Sequence, residues 1–79
     1  MAEESSKSAE AARDATDRLA LALEEAGFDV GKAFPGLRAG WDEAGAPGVR
    51  LGTVNAYVAS DLAEILEGAV SAGMTIPSR

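Results

Sequence analysis

The chain has 79 residues, a formal net charge of -6 at pH 7, and neither cysteine nor histidine. A chain this small hides only about 60–65% of the surface it exposes when unfolded, and such domains usually add disulfides, metals or association to a thin core. The missing residue types exclude a disulfide scaffold and a Cys/His metal centre, and they remove the commonest general base and the thiol nucleophile, so association is the stabilising device that remains.

The opening Met1-Ala2-Glu3-Glu4-Ser5-Ser6 carries acids and hydroxyls where a secretory leader has a basic region followed by an apolar one, so no signal peptide is expected. The longest apolar run, Leu19-Ala20-Leu21-Ala22-Leu23, falls far short of the roughly 20 residues that span a bilayer. Acidity also disfavours direct contact with phosphate backbones and anionic lipid. The expectation is a cytoplasmic protein that binds neither nucleic acid nor membrane directly. Its partner would be a basic protein or a second copy of the chain.

Residues 1–7 read as a loose tail, and a single domain is expected over 8–73. From about Ser8 to Ala26, Ala12, Ala15, Leu19, Ala22, Leu23 and Ala26 recur at spacings of three and four, which predicts an amphipathic helix. Gly27 supplies the left-handed residue that ends it, and Phe28 stands where a Schellman motif turns an apolar side chain back towards Leu23. Gly31 to Phe34 reads as loop, with Val30 and Phe34 as core residues. Leu37-Arg38-Ala39-Gly40-Trp41 and Gly48-Val49-Arg50-Leu51-Gly52 alternate on either side of the turn residues Asp42 to Pro47, the pattern of a β-hairpin. Leu37, Ala39, Trp41, Val49 and Leu51 would then face the helices, and Arg38 and Arg50 would share the outer face. A competing reading starts a short helix at Pro35 and ends it at Gly45, which would make the chain all-α.

Asn55 is placed to cap a second helix that runs to about Ala72. Its apolar half holds Val58, Ala59, Leu62, Ala63, Ile65, Leu66, Ala69 and Val70, and its polar half Ser60, Asp61, Glu64 and Glu67. Gly68 within it implies either a close neighbour or an early end. Residues 74–79 read as a second loose tail, with Thr75-Ile76 able to dock. The expected fold is α+β, ordered helix, hairpin, helix, with the Ala-rich face of the first helix on the second and Trp41, Leu62 and Leu66 buried together.

Ala26-Gly27-Phe28, Phe34-Pro35-Gly36-Leu37, and Leu51-Gly52 leading into Ala59, Leu62-Ala63 and Leu66 together resemble short actinobacterial proteins of unassigned function. These end one helix with Ala-Gly-apolar and continue as Leu-Gly, six residues, Ala, two residues, Leu-Ala, two residues, Leu. The resemblance covers about half the chain and implies a similar helix, hairpin and helix in a bacterial protein. It implies no activity, cofactor or catalytic residue.

The acid pairs Glu24-Glu25 and Asp42-Glu43 have no further acid at helical spacing, and the glycines match neither phosphate-loop pattern, so no catalytic, cofactor or metal residues are assigned. Tyr57 breaks the amphipathic rule beside Asp61 and Glu64, and Leu21 breaks it on the acidic side of the first helix. With Arg38 and Arg50, these are the candidate partner-binding residues of a small acidic, non-catalytic binding or regulatory protein, for which a basic DNA-binding protein is one suitable partner. Two other readings stay open: a carrier protein modified on Ser60, from Ser60-Asp61-Leu62, and an acidic mimic that occupies a nucleic-acid site.

Overall fold

The computed structural model describes the backbone of residues 2–77 and the side chains of residues 9–77. Along the chain come α1 (Ala2–Glu25), α2 (Val30–Ala33), β1 (Arg38–Trp41), β2 (Pro47–Arg50) and α3 (Ala56–Ser71). The arrangement is α+β, helix, hairpin, helix, with one helical turn inserted where a loop is expected. The middle segment is a hairpin and not a short helix.

The expectation that residues 1–7 are loose falls on side chains that lie outside the described ones. The helix itself begins at Ala2, six residues before the start that apolar periodicity marks. Its C-terminal end is a Schellman motif: the amide of Phe28 donates to the Leu23 carbonyl at 3.0 Å, that of Gly27 donates to Glu24 at 3.0 Å, and Gly27 has φ +113°. Leu23 is buried at this stop, and the Phe28 ring meets Phe34 edge-on, with centroids 5.4 Å apart and planes at 89°. Phe34 is held there by α2, whose single turn starts where the Asp29 carbonyl accepts from the Lys32 and Ala33 amides. Val30 is half-buried on the same turn.

β1 and β2 pair antiparallel in the register Arg38 to Arg50, Ala39 to Val49, Gly40 to Gly48 and Trp41 to Pro47. The connection is closed by Asp42, whose side-chain Oδ1 accepts from the amides of Ala44 and Ala46, both at 2.9 Å. Its backbone amide donates to Ala46 at 2.8 Å, and Gly45 takes the left-handed conformation at φ +84°.

The hairpin packs on α1, and α3 packs on neither to a comparable extent. This corrects the expected helix-on-helix seam. The covered stripe of α1 is Ala9, Ala12, Thr16, Leu19 and Leu23, while Ala15, Ala22 and Ala26 are exposed. Alanines all round α1 leave the phase of that stripe weakly marked, and Thr16 enters it by donating its hydroxyl to the Ala12 carbonyl at 2.7 Å.

The expected cluster of Trp41, Leu62 and Leu66 does not form. Trp41 is 52% exposed beside Ala9, Ala12 and Arg13 of α1, Leu66 is 56% exposed, and Leu62 is half-buried. Among the described residues only Ala12, Leu23 and Phe34 are buried.

Candidate partner-binding surface

Asn55 begins α3 as its side-chain Oδ1 accepts from the Val58 amide at 2.9 Å. From that fixed start, a rotation of 100° per residue sorts the helix into three stripes, each spaced four, three and four. Val58, Leu62, Ile65 and Ala69 form the stripe turned to the rest of the chain: three are half-buried, and Ile65 lies with Ala26, Gly27 and Phe28. Tyr57, Asp61, Glu64 and Gly68 form the second stripe, and all four are exposed. Ala59, Ala63, Leu66 and Val70 form the third, which is also exposed although entirely apolar.

Tyr57 is 84% exposed, so its ring stands clear of the hairpin and loops. One and two turns further on, Asp61 and Glu64 border an open depression of about 430 Å³ whose opposite wall is the α1 stop, Ala26 to Phe28. The arrangement offers an aromatic ring followed by two carboxylates along one helix edge. Ser60 is exposed on the polar side of α3, inside the helix and not at its start.

Leu21 is 58% exposed on α1 and does not line this depression. Arg38 and Arg50 are exposed and directly opposite each other across the hairpin, where like charges repel. The Arg50 side chain lies across β1, so that a Cβ on Gly40 would stand 3.0 Å from its Nε. The six candidate residues therefore occupy three places, of which only the Tyr57 edge holds more than two of them.

Sequence reading missed the third stripe by assigning Leu66 and Val70 to the core. Beyond it, the chain turns back through a second Schellman motif, with Gly73 at φ +92° and the Met74 amide donating to Ala69 at 2.9 Å. Leu66, Ala69, Val70, Met74, Thr75 and Ile76 then line an apolar groove of about 380 Å³. The signal for this turn was the Ala72-Gly73-Met74 sequence, which repeats the Ala26-Gly27-Phe28 stop.

No described helix is long and apolar enough to cross a membrane. Among the described residues no group of three or more acids converges as a metal site would. Comparison with protein-family models, with curated proteins and with solved structures gives no match.

Proposed function

We propose that this chain is a non-catalytic binding module of the cytoplasm that presents the Tyr57, Asp61 and Glu64 edge of α3 to a basic protein, a basic DNA-binding protein being one such partner. The observation that carries the proposal is the 84% exposure of Tyr57 on the same stripe as two carboxylates. An aromatic ring in that position loses water on contact and supplies binding energy, while the acids steer a basic surface towards it. The non-catalytic part is supported by composition, since neither histidine nor cysteine is available as base or nucleophile.

The test uses the chain as bait in a lysate of its source cells, followed by titration of the captured protein, purified, against the bait. Binding at least tenfold weaker for Tyr57→Ala, and for Asp61→Asn with Glu64→Gln, is the expected result. Equal binding by all three baits would overturn the proposal, and an intact mass carrying phosphopantetheine on Ser60 would replace it with the carrier reading. If DNA competes with the bait for the captured partner, the acidic edge occupies a nucleic-acid site.

A further inference from the structure

We propose that the chain forms a two-fold homodimer through its third α3 stripe, with the two α3 helices antiparallel, Ala59 of one copy against Val70 of the other and Ala63 against Leu66. The chain exposes more surface than its mass requires. A compact monomer of 8.0 kDa exposes about 4,500 Å², whereas this chain exposes 6298 Å². Its radius of gyration is 14.4 Å, against about 11.6 Å for a compact chain of this length. The excess, roughly 1,800 Å², belongs to the whole chain; on this face it is carried by Leu66, Val70, Met74 and Ile76, all more than half exposed, and a second copy laid on them would bury an interface at the low end of the standard size.

The order of side chains along the stripe selects the orientation of the second copy. Small, small, large, large at spacings of four, three and four is self-complementary only when reversed, since each alanine then faces a branched apolar residue. A parallel pair would set Leu66 on Leu66, Val70 on Val70 and alanine on alanine, leaving voids at one end and crowding at the other. It would also bring Glu67, beside the stripe, next to its own copy. Reversal separates the two glutamates and opposes the helix dipoles. The groove of Leu66, Val70, Met74 and Ile76 then lies over the start of the other copy's α3, extending the apolar contact past Ser71. An isologous pairing of this kind closes on itself and leaves no free apolar stripe.

This interface is independent of the partner-binding proposal, because Tyr57, Asp61 and Glu64 lie on a different stripe and stay exposed in the dimer. The experiment uses the purified chain alone, so its outcome does not depend on capture of any other protein. Sedimentation equilibrium should give twice 8.0 kDa, and the thermal midpoint should rise with protein concentration and with salt, as apolar contact between two acidic chains requires. The chain has no cysteine of its own, so introduced ones report contacts cleanly. Ala59→Cys with Val70→Cys should give a covalent dimer under mild oxidation, and Val70→Cys alone should stay uncrosslinked. Leu66→Glu should return the mass to that of one chain. A monomeric mass at all concentrations, dissociation by salt, or efficient crosslinking of Val70→Cys alone would each overturn the proposal. Should Leu66→Glu fail to fold, the cysteine pair decides it in a folded background.

Discussion

Gly36 and Gly52 cross where the chain enters and leaves the hairpin, so closely that a Cβ on Gly52 would stand 2.7 Å from the Gly36 Cα and one on Gly36 would stand 2.9 Å from the Gly52 Cα. Real Cβ atoms do not approach backbone at that separation. The crossing sets where the segment leading to α3 leaves the hairpin, so two glycines determine the direction in which the last helix sets out.

Gly52→Ala meets two penalties, since its φ of +75° is disfavoured for an L side chain and the new methyl would strike backbone. A loss of about 2–4 kcal/mol is expected, combining left-handed strain with overpacking. Gly36→Ala, without the positive φ, should lose about 1–3 kcal/mol. Urea unfolding followed by far-UV circular dichroism gives both values, and a Gly52→Ala protein as stable as the wild type would show that the crossing is looser than described.

Gly68 behaves in the opposite way. It lies inside α3 with helical φ, and nothing stands within 4 Å of where its Cβ would be. It neither sits under a neighbour nor ends the helix. Gly68→Ala should therefore stabilise the protein by up to about 1 kcal/mol, which for a chain of this size raises the thermal midpoint by roughly 4–8 °C. A lower midpoint on calorimetry would mean that the position is covered, as it would be if the Tyr57 stripe packed against a second copy.

Local chemistry made the element ends legible, and the contacts between elements were not. Gly27 with Phe28, Asn55 before α3 and Asp42 with Gly45 in the hairpin each act through a hydrogen bond within five residues, so sequence spacing is enough to place them. Periodicity also gave the apolar half of α3 correctly. It could not say that this half is two stripes wide with only one of them covered, because Leu62 and Leu66 look alike in a helical pattern and differ only in what lies over them. Trp41 was misplaced for the same reason: alternation shows which residues share a side of a strand but not which helix covers that side. Tyr57, Asp61 and Glu64 were legible as one exposed edge because no apolar residue interrupts their spacing.

The hairpin should depend on one carboxylate. Asp42 accepts two amide hydrogen bonds through a single oxygen and closes the loop through its own backbone amide. Asp42→Ala removes both side-chain bonds at an exposed site, where a loss of about 1–2 kcal/mol is expected. Asp42→Asn keeps an acceptor in place and should lose less than half as much. Amide hydrogen exchange at Ala44 and Ala46 separates this from a general loss of stability, since these two should open before the strand amides of Gly40 and Gly48, which the register places in a hydrogen-bonded pair.

At the acidic edge of α3, the ring and the carboxylates should fail in different ways. Because Tyr57 is 84% exposed, Tyr57→Ala should change stability by no more than about 0.5 kcal/mol. If its ring anchors a basic partner, the same substitution should cost about 2 kcal/mol of binding, roughly a 30-fold weaker Kd, expressed as faster dissociation. Asp61 and Glu64 lie on the same stripe but act before contact, through the field that draws a basic surface in. Asp61→Asn with Glu64→Gln should mainly slow association and flatten its dependence on salt, leaving dissociation close to wild type. Stopped-flow association at several salt concentrations, with dissociation measured by dilution, distinguishes the two effects. An off-rate unchanged by Tyr57→Ala would remove the ring from the interface, and an on-rate indifferent to both salt and the amide pair would show that the partner is not recognised by its charge.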